Sequence, residues 1–139
     1  MVPAVSVNYL AVLAAAIAAM VLGFLWYGPL FGKMWMKLMN IDKKKIDESK
    51  KKGMVVNYII MIISTLVMSY TLAHLVKFLD VTNILDALRV AFWMWLGFIA
   101  TVMIGTVLWE GKSWKLYCLN ATYWLVNLTV MSSILTLIP

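Results

Sequence analysis

Five polar side chains lie within long apolar runs, where they could line a path or hold a ligand. Asn57 and Ser64 are seven residues apart in one run, and Asn120 and Asn127 have the same spacing in another. Seven residues make two helical turns, so each pair lies on one helix face. Together with Asn8 they form a candidate polar seam. Interhelical hydrogen bonding explains such groups more simply than function does. We favour a structural seam and keep a permeation or binding seam as the alternative.

Glu110 is the one carboxylate with long apolar stretches on both sides, which makes it a candidate interfacial charge. It could bind a cation or a proton, but pairing with Lys112 and Lys115 is the simpler expectation. The chain has no serine-nucleophile motif, no metal-spaced histidine and carboxylate pair, and no phosphate loop after a strand. Its one cysteine, Cys118, excludes an internal disulfide. We therefore expect no catalytic residue, no metal, no cofactor and no enzymatic activity.

The composition indicates that these residues are positioned by membrane helices. The chain has 139 residues, of which 64% are hydrophobic and only 13% are charged, whereas about 25% is usual for a soluble domain. A spanning helix needs about 20 apolar residues. Four segments qualify, at about 5–27, 54–76, 85–109 and 116–138. Strand-like alternation is absent, so the predicted fold class is an all-α membrane protein with one integral membrane domain over residues 1–139.

The lysines predict the orientation of this domain. The connection at 33–53 contains eight of the twelve basic residues, and the positive-inside rule places it in the cytoplasm with both termini outside. The cytoplasmic membrane of a prokaryote is the expected location.

Apolar residues near helical spacing predict a short amphipathic cytoplasmic helix in the connection at 33–53. Its lysines are then expected to contact anionic lipid headgroups: Lys43, Lys44, Lys45, Lys50, Lys51 and Lys52. A solvated loop without a partner is the alternative. The basic pI comes mainly from the lysines of this one connection, which the membrane topology already explains, so no nucleic-acid partner is expected.

The chain also resembles itself, which predicts two similar helical hairpins. The segment Asn57-x6-Ser64-x2-Val67-Met68-Ser69 aligns without gaps on Asn120-x6-Asn127-x2-Val130-Met131-Ser132. The corners GFLWYGPLFGKMWMKL (residues 23–38) and GTVLWEGKSWKL (residues 105–116) are also similar. Both copies would cross the membrane in the same direction, as in transporters with parallel repeats. Aromatic residues of both corners are expected to anchor the helices at the membrane interface: Trp26, Tyr27, Trp35, Trp109 and Trp114.

Several of these blocks resemble a known family. The blocks GFLWYGPLFGKMW (residues 23–35), WLGF (residues 95–98) and EGKSWKL (residues 110–116), followed by NATY (residues 120–123), are similar to those of domain-of-unknown-function family 1761. The resemblance implies a small four-helix integral membrane protein, and it transfers no activity and no functional residue.

Two functional hypotheses follow from these patterns. The first is a non-enzymatic structural or accessory membrane protein that self-associates or joins a larger membrane complex. The alternative is a small transporter or channel for a small solute or ion that uses the polar seam between the two hairpins. The sequence favours the first, because it contains interfacial anchors and no catalytic constellation.

Overall fold

The computed structural model describes residues 4–40 and 53–139, which are helical and contain no β-strand. Four helices are long and apolar enough to cross a membrane: α1 (Tyr9–Leu30), α3 (Met54–Phe78), α4 (Ile84–Leu108) and α5 (Trp114–Leu137). The short helix α2 (Gly32–Leu38) follows α1. The prediction of an all-helical protein with four membrane-type helices is confirmed. The six lysines predicted to contact headgroups lie outside the described residues.

Polar side chains define where three of the long helices begin. Asn8 accepts hydrogen bonds from the backbone N–H groups of Leu10 and Ala11, so α1 starts at Tyr9, four residues after the predicted start. Asn83 caps α4 and Ser113 caps α5 in the same way. These caps satisfy N–H groups that have no partner within the helix.

Helix α5 is the central element of the bundle. In an apolar stretch of 18 residues, 44% of α5 is buried inside the bundle, compared with 11% of α4. It contacts α1, α3 and α4, and α1 also contacts α3. Contact between α3 and α4 is marginal at most. The bundle is therefore asymmetric, with α1 and α5 inside and α3 and α4 on opposite flanks.

Small residues allow α1 to approach its neighbours closely. Ala11, Ala15 and Ala19 are at most 2% exposed, and they belong to one core cluster with side chains of α3, α4 and α5. Ser69 of α3 donates a 2.8 Å hydrogen bond to the carbonyl oxygen of Val12. Alanine stripes with an interhelical hydroxyl bond are typical of helix packing in lipid, where hydrophobic burial alone gives little driving force.

Helix α3 packs along only half of its length. Near its C-terminal end Leu72, Ala73 and Val76 are at most 5% exposed. In its N-terminal half, every large apolar residue of the range 55–63 is between 44% and 70% exposed. Helix α3 therefore separates from the bundle toward the end at which α1 finishes and α5 begins, which we call the corner end.

Helix α4 contains a π-helical segment, Leu96–Ala100, where it packs against α5. Two aromatic side chains bridge the helices at this point. The Trp95 indole donates a 2.7 Å hydrogen bond to the carbonyl of Ala121, and the Tyr117 hydroxyl donates one of 2.7 Å to the carbonyl of Ala100. Such bonds satisfy backbone groups where a helix departs from regular geometry.

The aligned positions of the two sequence copies have different surroundings. Ser69 and Ser132 are both fully buried. In contrast, Ser64 is exposed, whereas Asn127 is 2% exposed. A two-fold arrangement would also pair α3 with α4 as closely as α1 with α5, and the observed contacts are unequal. The internal repeat and its two hairpins stay predictions from the sequence.

Candidate functional site at the corner end

The corner end begins with an irregular termination of α1. Residues Trp26–Leu30 form a π-helical turn that contains Pro29, and the Phe31 N–H donates to the Trp26 carbonyl at 2.8 Å. Gly32 follows, and a Cβ there would lie 2.7 Å from the Tyr27 carbonyl oxygen. Only glycine allows the chain to turn so tightly into α2. Single π-turns of this kind occur frequently at functional sites.

This turn directs Tyr27 toward α5. The Tyr27 hydroxyl donates a 2.7 Å hydrogen bond to Oδ1 of Asn120, 93 residues away in the chain. Its ring makes edge contacts with the rings of Tyr123 at 5.0 Å and Trp35 at 5.7 Å between centroids. Both partners of the hydrogen bond are half-buried. The bond therefore joins the end of α1 to the start of α5 and brings α2 against them.

Among the described residues three buried polar atoms have no hydrogen-bond partner: Nε1 of Trp26, the residue before Tyr27, and, two and more than three turns beyond Asn120 along α5, Oδ1 of Asn127 and Oγ of Ser132. The Trp26 ring lies 4.6 Å from Phe31 and 6.0 Å from Tyr123, centroid to centroid. Asn127 follows Tyr123 by one helical turn, so it lies on the same face of α5. Buried polar groups are normally paired. One indole donor on α1 and one amide acceptor on α5 therefore lack a partner among the described residues.

Gly23 makes the approach of α1 and α5 possible. A Cβ at this position would lie 2.8 Å from the Tyr123 hydroxyl oxygen, which is closer than a methyl group can approach an oxygen without displacement. The Tyr123 side chain is only 8% exposed. The corner cluster, defined as Trp26, Tyr27, Asn120, Tyr123 and Asn127, therefore depends on a glycine two turns inside α1.

The predicted polar seam is divided between different surfaces. Asn120 and Asn127 face the interior, whereas Asn57 and Ser64 are exposed on α3. Asn8 lies at the opposite end of α1, where its amide nitrogen donates a 3.1 Å hydrogen bond to the carbonyl of Pro139. The five side chains do not share one lining, because α3 has separated from the bundle where Asn57 and Ser64 lie.

The predicted interfacial anchors and Glu110 all lie at the corner end. Trp109 is 87% exposed and Trp114 is 57% exposed, and their role as interfacial anchors stays a prediction. Trp26, Tyr27 and Trp35 instead contact other aromatic rings, which the prediction of interfacial anchors did not include.

Glu110 is exposed. Among the described residues the one ion pair joins Arg89 to Asp86, so the expected pairing of Glu110 with its neighbouring lysines is not present.

Sequence analysis did not single out Tyr117 and Tyr123, which contact α4 and α1 respectively. The spacing of these tyrosines in the sequence could have indicated that they face the same side of α5 as the two asparagines. Tyr117, Asn120, Tyr123 and Asn127 follow one another at intervals of three, three and four residues, which places them along one helical stripe. Across residues 4–40 and 53–139, no three metal-binding side chains lie close enough to hold an ion.

One family matches the chain over residues 10–136, and its description is "Protein of unknown function (DUF1761)". The chain belongs to the DUF1761 family. The match includes all of the corner cluster and most of each long helix. The resemblance seen in the sequence is thus confirmed. No curated protein and no solved structure matches the chain.

Proposed function

We propose that this DUF1761 protein is a non-enzymatic structural or accessory component of a membrane. The observation that supports this role is the filled middle of the bundle. Ala15, Ala16 and Met131 are fully buried there. A permeation path needs a continuous polar or water-filled lining, whereas the buried interior of this bundle combines these apolar groups with isolated polar side chains such as Ser69 and Ser132.

The makeup of the corner cluster supports the non-enzymatic part of the proposal. It contains indole, phenol and amide groups. Amide side chains do not transfer protons near neutral pH, and a phenol ordinarily ionises only near pH 10. Within the cluster, the Tyr27 hydroxyl already donates a hydrogen bond to Oδ1 of Asn120. These groups are suited to holding helices together rather than to acid-base chemistry.

A flux assay tests the structural role. The purified protein is placed in vesicles of phosphatidylethanolamine and phosphatidylglycerol, and proton, potassium and small-solute fluxes are followed with dyes and by osmotic swelling. We expect rates equal to those of protein-free vesicles. A flux that depends on the protein would contradict the structural role.

The transport alternative is supported by one observation, the unpartnered buried Oδ1 of Asn127. If the two sequence copies are parallel repeats, a solute path would be expected along the pseudo-two-fold axis, with Asn120 and Asn127 on its α5 side. Asn127→Leu decides between the roles. Loss of a measured flux in a variant that retains its helical spectrum favours transport. Loss of folding without any flux in the parent protein favours the structural role.

The proposed location is the cytoplasmic membrane of a prokaryote, with the corner end in the cytoplasm and both termini outside. Lys33, Lys37, Lys112 and Lys115 are the lysines of the corner end among the described residues, and the positive-inside rule supports this orientation. Contact of the lysines at 43–45 and 50–52 with anionic headgroups belongs to the same proposal.

Cysteine labelling tests this orientation. In a Cys118→Ser background, a cysteine is placed within 43–52 or at Thr82, an exposed residue between α3 and α4. An impermeant maleimide added to intact cells is expected to label the Thr82→Cys variant and to spare the cysteine within 43–52 until the cells are opened. The reverse pattern would overturn the orientation.

A further inference from the structure

The exposed half of α3 carries two polar side chains for which the described part of the chain provides no hydrogen-bond partner. Three amide side chains lie within the four membrane-type helices. Asn120 bonds to Tyr27, and Asn127 is buried. Asn57 is exposed, as is Ser64 two turns further along α3, and within residues 4–40 and 53–139 neither side chain has a hydrogen-bond partner. A polar side chain that enters hydrocarbon without a hydrogen-bond partner is unfavourable.

Two other hydroxyl groups of the membrane-type helices are satisfied within their own helix. Thr65, the next residue along α3, donates its hydroxyl to the Met61 carbonyl at 2.8 Å. Thr101 on α4 is exposed but donates to the Gly97 carbonyl at 2.8 Å. Asn57 has no equivalent intrahelical bond among the described residues, so its amide is available to a partner outside the chain.

We propose that a second copy of this chain binds to α3 along the stripe of Asn57, Met61 and Ser64, called the α3 stripe. An asparagine amide contains both a donor and an acceptor. Two identical amides that face each other across a two-fold axis therefore form two reciprocal hydrogen bonds, and each copy presents the complement of its own surface. Interhelical bonds of asparagine side chains are a known means of holding membrane helices together.

The surroundings of the α3 stripe fit a helix from a second copy. Ile60 and Met61 are 56% and 60% exposed, and no charged residue occurs in the range 54–76. Because α3 has left the bundle at this point, another helix can reach the stripe without displacing a contact of the chain. The inference goes beyond the proposed structural role, since two copies can associate whether or not the bundle conducts a solute.

Disulfide cross-linking of two positions with similar exposure tests the proposal. Met61 is 60% exposed and Ile59 is 51% exposed in the single chain. Met61 lies within the α3 stripe, whereas Ile59 lies about 200° around the helix from Asn57. The variants Met61→Cys and Ile59→Cys are made in a Cys118→Ser background. They are placed in phosphatidylethanolamine and phosphatidylglycerol vesicles, whose anionic lipid balances the lysines that precede α3.

We expect Met61→Cys to form a covalent dimer on mild oxidation at least several times faster than Ile59→Cys. Equal rates would show unspecific collision and would overturn the proposal. Absence of a dimer in both variants would mean that lipid covers the stripe in these vesicles, and would overturn the proposal as well. The readout is cross-linking, so it is independent of the flux assay.

Substitution of the amide provides a second, quantitative test. Asn57→Leu in the Met61→Cys chain is expected to weaken dimerisation roughly 3- to 30-fold, the range for loss of interhelical hydrogen bonds in lipid. Energy transfer between labelled chains over a dilution series in lipid measures the dissociation constant. The matched control is Thr101→Val, which removes an exposed hydroxyl that is already satisfied and should leave dimerisation unchanged. An unchanged dissociation constant for Asn57→Leu would contradict the reciprocal bond.

Discussion

Replacing Gly23 by alanine tests the contact that sets the distance between α1 and α5. The new methyl carbon would lie 2.8 Å from the hydroxyl oxygen of Tyr123 and 3.6 Å from its ring carbon Cζ. The ring is held by Trp26 and Tyr27 at centroid distances of 6.0 and 5.0 Å, so it cannot turn aside freely. Forcing an extra methyl group into such a packed contact costs about 1–3 kcal/mol.

A matched control separates this collision from the intrinsic effect of alanine. No atom lies within 4 Å of the Cβ position at Gly97 in α4, so Gly97→Ala changes only the conformational preference of the backbone. That preference favours alanine by up to about 1 kcal/mol. Gly23→Ala receives the same gain, and the difference between the two variants therefore isolates the contact with Tyr123. We expect Gly23→Ala to be less stable than Gly97→Ala by about 1–3 kcal/mol.

A double variant identifies the atom responsible. Tyr123→Phe removes the oxygen that collides, so Gly23→Ala combined with Tyr123→Phe should recover most of the lost stability, with a coupling free energy of about 1 kcal/mol or more. Unfolding by SDS in mixed micelles, followed by circular dichroism, measures each free energy. The packing argument fails if Gly23→Ala is as stable as Gly97→Ala, or if removal of the Tyr123 hydroxyl restores nothing.

Three hydrogen bonds give further predictions in the same assay. Tyr27→Phe removes the donor to Asn120 and should cost about 0.6–2 kcal/mol, the range for interhelical bonds in lipid. Ser69→Ala removes the buried hydroxyl that bonds to the Val12 carbonyl and should cost about 1 kcal/mol. Trp95→Phe removes the indole donor to the Ala121 carbonyl of α5 and should cost about 0.6–2 kcal/mol, because the carbonyl keeps its bond within the helix and only the interhelical bond is lost.

Each of these substitutions has a control of the same type. Tyr9 is 73% exposed and Trp93 is 65% exposed, so Tyr9→Phe and Trp93→Phe should change stability little. The Ser133 hydroxyl donates to the carbonyl of Thr129 within α5, and Ser133→Ala removes no bond between helices. If a control destabilises the protein as much as its partner substitution, the interhelical bond is not the cause.

Much of the fold could be predicted from hydropathy alone. Four runs of apolar residues predicted four long helices, and the observed helices begin within a few residues of the predicted bounds. The exception is α1, where the Asn8 amide determines the first turn. The candidate site was less predictable. Asn120 and Asn127 were identified, but their grouping with Asn57 and Ser64 assumed that α3 and α5 both pack along their whole length.

The amino-acid sequence by itself determined the environment and the number of helices, because lipid solvates long apolar helices whatever their neighbours are. Only the tertiary structure decided which helix faces meet. Between helices in lipid there is little hydrophobic driving force, so pairing follows close approach at small residues and a few directional bonds. Gly23 under Tyr123 and the bond from Tyr27 to Asn120 bring α1 onto α5. The N-terminal half of α3 lacks such contacts, so its polar stripe faces outward.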